Sequence, residues 1–183
     1  MTWLTVHPEH DAGTRLLASS DASVIAGELQ RRGVRFERPA GLEALPAGVT
    51  VEQALAACGA LIARQKAVHG YTVVDAVSVH PDLPGLEQAR AKFLSEHTHA
   101  EDEARLMVDG AGTFYLRAAG EVLVLELCAG DLISVPQGMR HWFDMGARPR
   151  FTAVRLFTRP DGWIGSFTGD AIAERFPRYA GAA

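Results

Sequence analysis

The chain has 183 residues, of which 48% are apolar and 22% charged, and its formal net charge is −4. This composition is typical of a globular protein with a sizeable core and argues against a disordered chain. The acidic balance argues against nucleic-acid binding, and no apolar run is long enough to cross a membrane. The N-terminus lacks the features of a signal peptide and the two cysteines, Cys58 and Cys128, are far apart, so we expect a cytoplasmic protein.

The first 70 residues are predicted to be helical. Apolar residues recur at helical spacing over 21–32, and Gly33 follows as a stop signal. Residues 50–53 have the spacing of a capping box, which predicts a second helix that continues to about His69. A third, short helix is predicted over 86–94.

From residue 71 the apolar pattern changes from that of a helix to that of a strand. Short segments rich in Val, Leu and Phe are separated by Gly- and Pro-containing turns, which indicates an antiparallel barrel or a double-sheet jelly roll. The predicted strands lie around 77–79 and at 113–117, 121–127, 132–135 and 150–158, with turns at 109–112, 119–120, 129–131 and 136–138.

We expect a single domain with a helical part over about 1–70, a barrel core over about 71–160, and a C-terminal loop and helix over 161–183. The tail helix is predicted around 170–176. Disorder is expected only at the Ala-rich end, 180–183.

Metal-binding residue types are concentrated between residues 96 and 103. On a strand, residues two apart face the same side, so His97 and His99 would present two imidazoles to one point, and Glu103 has the same parity. His141 follows a Pro-x-Gly turn and opens a predicted strand. Three imidazoles and one carboxylate suit a divalent first-row metal, and we therefore predict a site made of these four residues.

The same four residues fit the two motifs of the cupin superfamily. These are HxHxxxE with a Gly after six further residues, and a Gly with PxGxxH after five further residues. The non-ligand motif positions are Gly110, Gly130, Pro136 and Gly138. Ala91 and Met145 depart from the pattern at positions that serve backbone shape. The resemblance implies a mainly β fold, a cupin barrel of the double-stranded β-helix or jelly-roll type, with the N-terminal helices packed outside.

A second resemblance extends over more of the chain and indicates one family within this superfamily. The sequence is similar to the acireductone dioxygenase family over most of residues 25–179, in GVRFER, KFLSEHTHAEDEARLMVDGAGTFYL, DLISVPQGMRHWFDMG and FTAVRLFTRPDGWIGSFTGD. The resemblance implies an enzyme of methionine salvage that oxidises an acireductone, an ene-diol beside a ketone with a methylthioethyl tail, using O₂. It implies one Fe(II) or Ni(II) per chain. The iron form is expected to give formate and 4-methylthio-2-oxobutanoate, and the nickel form 3-methylthiopropanoate, carbon monoxide and formate.

Further residues are candidates for the site. Arg105 lies two residues after Glu103, so on a strand it faces the same cavity, and its permanent charge would stabilise a substrate dianion, the role that the resemblance implies. Three aromatic residues, Phe93, Phe143 and Trp163, are predicted to line the substrate pocket, with core packing as the alternative. Glu96 and Asp102 are candidates to orient the imidazoles or to assist metal incorporation, with solvated carboxylates as the alternative.

Two other functions remain open at this point. One is a different cupin dioxygenase or isomerase with the same four ligands, and the other is a non-catalytic, metal-dependent cupin that binds a small molecule. The ligand types do not select among iron, nickel, cobalt and manganese. We expect no nucleic-acid or membrane partner, and a monomer, since nothing in the sequence demands an oligomer.

Overall fold

The computed structural model describes residues 1–40, 42 and 45–179, and the predicted disorder at 180–183 falls outside this part of the chain. Its helices are α1 (Ala22–Gln30), α2 (Val51–Ala57), α3 (Gly59–His69), α4 (Leu86–Leu94) and α5 (Ile172–Arg175). Its strands are β1 (Trp3–Pro8), β2 (Leu17–Ser19), β3 (Arg35–Glu37), β4 (Val73–Val79), β5 (His97–Thr98), β6 (Glu103–Ala118), β7 (Glu121–Cys128), β8 (Leu132–Val135), β9 (Arg140–Asp144), β10 (Phe151–Phe157) and β11 (Ser166–Phe167). No helix in these ranges is both long and apolar enough to cross a membrane.

The strands form two antiparallel sheets that share β6. The seven-stranded sheet has the order β2-β1-β7-β6-β9-β5-β11, and the five-stranded sheet has the order β4-β10-β6-β8-β3. The main core lies between them, because apolar residues of both sheets, among them Phe114, Leu125 and Ile133, belong to one buried cluster. This is the predicted cupin architecture.

The strand β6 passes from one sheet to the other at a bend. The pairing of β6 with β10 shifts register between Thr152 and Ala153, which marks a β-bulge. Gly110 follows the bulge with a φ of 73°, and a Cβ at this position would lie 1.8 Å from the carbonyl oxygen of Arg150. Only glycine tolerates both conditions. The turn predicted at 109–112 is therefore wrong, because the chain bends there without ending the strand.

Helices α2, α3 and α5 cover outer faces of the barrel, whereas α1 and α4 pack against the main core. Apolar residues of α2 and α3, including Ala54 and Ile62, pack on the outer face of the five-stranded sheet. The capping box predicted at 50–53 is present, and Gly70 ends α3 in the left-handed conformation, but the helix is interrupted at Cys58. At the C-terminus, α5 packs Ile172 and Ala173 against Trp142 of the seven-stranded sheet.

The helical prediction for residues 1–70 is wrong in three places, where β1, β2 and β3 occur. In β1, Leu4 and Val6 are buried between neighbouring strands, and its pairing with β7 runs from Trp3 to Pro8. These three strands are only three to six residues long. Such segments are too short for an alternation of apolar and polar residues to distinguish a strand from a helix. The helix predicted over 86–94 is confirmed as α4, and the tail helix occurs as the shorter α5.

Candidate metal centre

Three strands bring the four predicted ligands together. His97 on β5 pairs directly with His141 on β9, and β9 pairs with β6, the strand that begins at Glu103. His99 follows β5, and its carbonyl oxygen accepts a hydrogen bond from the backbone N–H of Gly138, in the turn before β9. Pairing between strands, in addition to the spacing within one, thus fixes the positions of the four side chains.

The four side chains converge and are buried. One ring nitrogen from each of His97, His99 and His141 lies within 4.8 Å of the others. The Oε2 atom of Glu103 is 3.2 Å from Nε2 of His99 and 3.4 Å from Nε2 of His141. All four residues are less than 9% exposed.

Backbone carbonyls orient all three imidazoles. The Nδ1–H group of His97 donates to the carbonyl of Ser95 at 2.8 Å, and that of His141 donates to Met139 at 2.8 Å. The Nδ1–H group of His99 donates to the carbonyl of Ile164 at 3.1 Å. Each ring is therefore held as the tautomer whose Nε2 atom carries a free lone pair, which is the form that binds a metal.

The environment sets the protonation of the ligands. Burial, together with the coulombic effect of the neighbouring His141 imidazole, lowers the pKa of His97 to about 4, so this ring is neutral at pH 7. Burial acts to lower the pKa of His99 as well, but contact with the Glu103 carboxylate outweighs it and raises that pKa. Burial also opposes ionisation of Glu103, yet the charge of Arg105 and the neighbouring imidazoles hold the pKa of that carboxyl well below its ordinary value.

A metal ion fits this arrangement. Among the described residues, Glu103 Oε2 and His141 Nε2 are buried and have no hydrogen-bond partner. Unsatisfied buried polar atoms are uncommon, and a carboxylate oxygen facing an imidazole lone pair is unfavourable without a cation between them. A divalent ion bound by three Nε2 atoms and Oε2 would satisfy both.

Arg105 lies beside the ligands, as its parity predicts. Its Nη2 atom donates to Oε1 of Glu103 at 2.5 Å, which leaves Oε2 for the metal. Its guanidinium carbon lies 4.9 Å from the ring centre of Phe114 and 4.8 Å from that of Phe143. These cation–π contacts and the ion pair fix the orientation of a charge that is otherwise unfavourable to bury.

A cavity of about 720 Å³ opens onto this centre. It is lined by His97, His99, Glu103, Arg105, Gly85, Gln88, Ala89, Lys92, Phe93, Arg155, Phe157, Trp163, Ile164, Gly165 and Phe167. The wall is mostly apolar. The polar lining residues at the metal centre, which form the floor of the cavity, are His97, His99, Glu103 and Arg105. Phe93 and Trp163, two of the aromatic residues predicted for the substrate pocket, line this cavity, and Trp163 remains 55% exposed at its rim.

Phe143 does not line the cavity, which corrects its predicted place. It faces the interior of the barrel, as its parity with His141 requires, but the Arg105 guanidinium covers its ring and Phe93 packs edge-on against it at 6.2 Å. Its exposure is 1%. Phe143 is a core residue that supports Arg105 from behind.

Glu96 and Asp102 contact none of the imidazoles. Glu96 is buried, and its carboxylate accepts hydrogen bonds from Arg117 at 3.1 Å and from the hydroxyl of Thr168 at 2.6 Å. Asp102 is exposed and accepts from the backbone N–H of Gln137 at 2.8 Å. Through these hydrogen bonds, Glu96 stabilises the segment after β11, and Asp102 stabilises the turn before His141.

Several cavity residues were missed in the sequence. Arg155 and Phe157 have the same parity on a predicted strand, so their shared face was a usable signal. Ile164, Gly165 and Phe167 belong to a segment that folds back over His97, and a Cβ on Gly165 would lie 3.2 Å from the His97 ring. The sequence of this segment has no apolar periodicity that would indicate that it folds back over His97.

Comparisons with known proteins agree with the geometry. The model of the ARD/ARD′ family matches residues 49–165. The chain is 47% identical to an acireductone dioxygenase of Xylella fastidiosa (strain 9a5c), over 98% of this chain and 95% of that protein. It is 50% identical to an acireductone dioxygenase of Synechococcus sp. (strain RCC307), over 88% of this chain and 87% of that protein. The solved structure of an acireductone dioxygenase from Bacillus anthracis, with a cadmium ion in its active centre, superposes with a TM-score of 0.77 at 30% identity and covers 91% of this chain and 98% of its own.

Replacing a ligand should remove the metal without unfolding the barrel. We expect His97→Ala, His99→Ala and His141→Ala each to lose most of the bound metal, because three remaining donors hold a divalent ion less tightly. The metal-to-protein ratio by elemental analysis and the circular dichroism spectrum check this. His80→Ala, which changes an exposed histidine at the end of β4, is the control. Full metal occupancy in two of the three ligand variants would contradict the site.

Proposed function

The chain belongs to the ARD/ARD′ family, and we propose on that premise that it is an acireductone dioxygenase, which cleaves an acireductone with O₂. The observation that carries the proposal is the meeting of three oriented imidazoles, one ionised carboxylate and one permanent cation at the floor of an apolar cavity. The ligand set binds a metal, and the cation marks a place for a negatively charged substrate.

The residues of the site have two different roles in such a reaction. His97, His99, Glu103 and His141 would hold the metal, which when bound supplies a Lewis acid and a template for the two oxygens of an ene-diol. Arg105 supplies a fixed positive charge next to that place. Because it is buried and already oriented by Glu103 and two aromatic rings, it stabilises the substrate dianion without rearranging.

The cavity wall suits the rest of the molecule. Phe93, Phe157 and Ile164 provide an apolar surface beyond the charged floor, and such a surface accepts a methylthioethyl tail. Trp163 and Phe167 are half exposed at the rim, so a bound tail would also cover them. Polar recognition at the floor and apolar recognition along the wall fix the orientation of the substrate.

The finer features of the function are also proposals. We propose that Fe(II) and Ni(II) both occupy the site and direct the reaction to different products. The donor set supports this because imidazole and carboxylate accept either ion. We further propose a cytoplasmic location, which is consistent with Cys58 and Cys128 both being free thiols. The monomeric state and the absence of a nucleic-acid partner stay predictions.

Arg105→Ala should retain metal and lose catalysis. The substrate dianion would lose its counter-charge, and removing one positioned group of this kind costs about 3–4 kcal/mol, a loss of about 10²- to 10³-fold in rate. Arg105→Lys should recover only part of this, because an ammonium lacks the planar fork and the stacking on Phe114. Turnover by O₂ consumption and metal content by elemental analysis check both variants. Near-normal turnover of Arg105→Ala would remove this residue from the mechanism.

The function itself is tested by loading the metal-free protein separately with Fe(II) and Ni(II). Supplied with an acireductone and O₂, both samples should consume O₂ and produce formate. We expect only the nickel sample to release carbon monoxide in quantity, because the pose of the substrate decides which carbon reacts. Headspace gas analysis and chromatography of the acids measure the products. A product mixture independent of the metal would refute metal-controlled selectivity, and absence of turnover with either metal would refute the proposed function.

A further inference from the structure

Charged residues form a row across the five-stranded sheet, beside the metal centre. Arg155 on β10 pairs in register with Asp75 on β4 at one side and with Arg105 on β6 at the other. Residues directly opposite each other on neighbouring strands point to the same face. Glu103 lies two residues before Arg105 and extends the row to the metal ligands.

Burial increases along this row. The side chains are 43% exposed at Asp75, 16% at Arg155, 6% at Arg105 and 3% at Glu103. Arg155 and Arg105 both line the cavity, and Arg155 is the more exposed of the two. An anion in the cavity can therefore contact Arg155 as well as Arg105.

Each of the two arginines is held by a carboxylate. Asp75 accepts hydrogen bonds from Nε of Arg155 at 2.9 Å and from Nη2 at 2.6 Å. Glu103 accepts from Nη2 of Arg105. The hydrogen bonds of Arg155 to Asp75 use Nε and Nη2 and leave Nη1 outside that pair. Within the described part of the chain, Nε of Arg105 is buried without a partner. Two guanidinium groups on paired strand positions that both line the cavity suit an anion that contacts both.

The net charge of the chain is unfavourable for binding an anion, and the charges of the cavity oppose this effect. A protein of net charge −4 repels an anion at long range. The cavity wall has the opposite balance, with Lys92, Arg105 and Arg155 against Glu103. Asp75 orients Arg155 but lies outside the residues that line the cavity. A local positive field at the cavity offsets the repulsion.

We propose that Arg155, held in place by Asp75, is a second anion-binding residue of the cavity and binds the acireductone anion together with Arg105. This inference rests on the proposed function. Arg155 lies one strand farther from Glu103 than Arg105 does, and it contacts the substrate in the ground state as well as in the transition state. It therefore contributes to substrate affinity, whereas Arg105 contributes to the transition state.

The two roles predict different kinetic changes. Arg155→Ala should raise KM about tenfold or more and leave kcat within about threefold, since a charge-assisted hydrogen bond is lost equally from ground and transition states. Arg155→Lys should restore part of the affinity. Asp75→Asn should raise KM less than Arg155→Ala, because the guanidinium remains but loses its orientation. Metal content should be unchanged in all three.

Arg159→Ala is the matched control. Arg159 follows β10, is 56% exposed, pairs with Asp161 and does not line the cavity, so its removal should leave KM unchanged. If Arg155→Ala unfolds the protein, Asp75→Asn and Arg155→Lys still decide the question through KM. A normal KM in the folded variants, or an equal fall of kcat and kcat/KM as expected for Arg105, would overturn the proposal.

A binding measurement without O₂ separates this inference from the proposed function. The nickel-loaded protein is titrated anaerobically with the acireductone, and its dissociation constant is compared between wild type and Arg155→Ala. We expect the constant to rise about tenfold in the variant. Equal affinity in both proteins would overturn the role of Arg155 even if the wild type turns over normally. Absence of O₂ consumption by the wild type would instead count against the proposed function.

Discussion

The Glu103 carboxylate is ionised and almost fully buried, and the neighbouring groups are arranged around that constraint. An isolated charge in such a place is strongly unfavourable, and removing one partner of a buried ion pair costs about 3–5 kcal/mol. Arg105 compensates the carboxylate through Oε1, and the open imidazole nitrogens face Oε2. A bound cation completes this balance. Arg105 in turn needs its own supports, which are the rings of Phe114 and Phe143. The arrangement of the core behind the site thus follows from a requirement at the site.

The strand β6 links this electrostatic arrangement to the fold. Its first half carries Glu103 and Arg105 in the five-stranded sheet, and its second half carries Phe114 in the seven-stranded sheet. The bend at Gly110 turns the second half so that the Phe114 ring comes under the Arg105 guanidinium. The carbonyls that orient the imidazoles come from the same barrel and from the loop that ends in β11. The ligands are therefore held by rigid strands and by backbone hydrogen bonds, which is the arrangement that preorganised catalytic sites require.

The ligand set could be predicted because its residue types and spacing are unusual. The strands of the barrel could be predicted because short segments rich in Val, Leu and Phe are separated by turn residues. The position of Arg105 beside the ligands could also be predicted, because Arg105 has the same parity as Glu103 on the strand. Parity indicated that Phe143 faces inward but could not indicate depth, since depth depends on which side chains from other strands lie above it. Glu96 could not be assigned from its neighbours, because its partner Arg117 is 21 residues away in the sequence. The return of Ile164 and Phe167 over the imidazoles depends on tertiary packing and leaves no periodic signal.

The central claim is that one metal ion is shared by three imidazole Nε2 atoms and the Glu103 carboxylate. Crystals of the nickel-loaded protein, measured with X-rays at the nickel absorption edge, test it directly through the anomalous signal. We expect one strong peak per chain, within about 2.0–2.2 Å of Nε2 of His97, His99 and His141 and of Oε2 of Glu103, the range for nitrogen and oxygen ligands of a first-row metal. A peak bound through the Nδ1 atoms, a peak that excludes Glu103, or a peak elsewhere in the molecule would contradict the account.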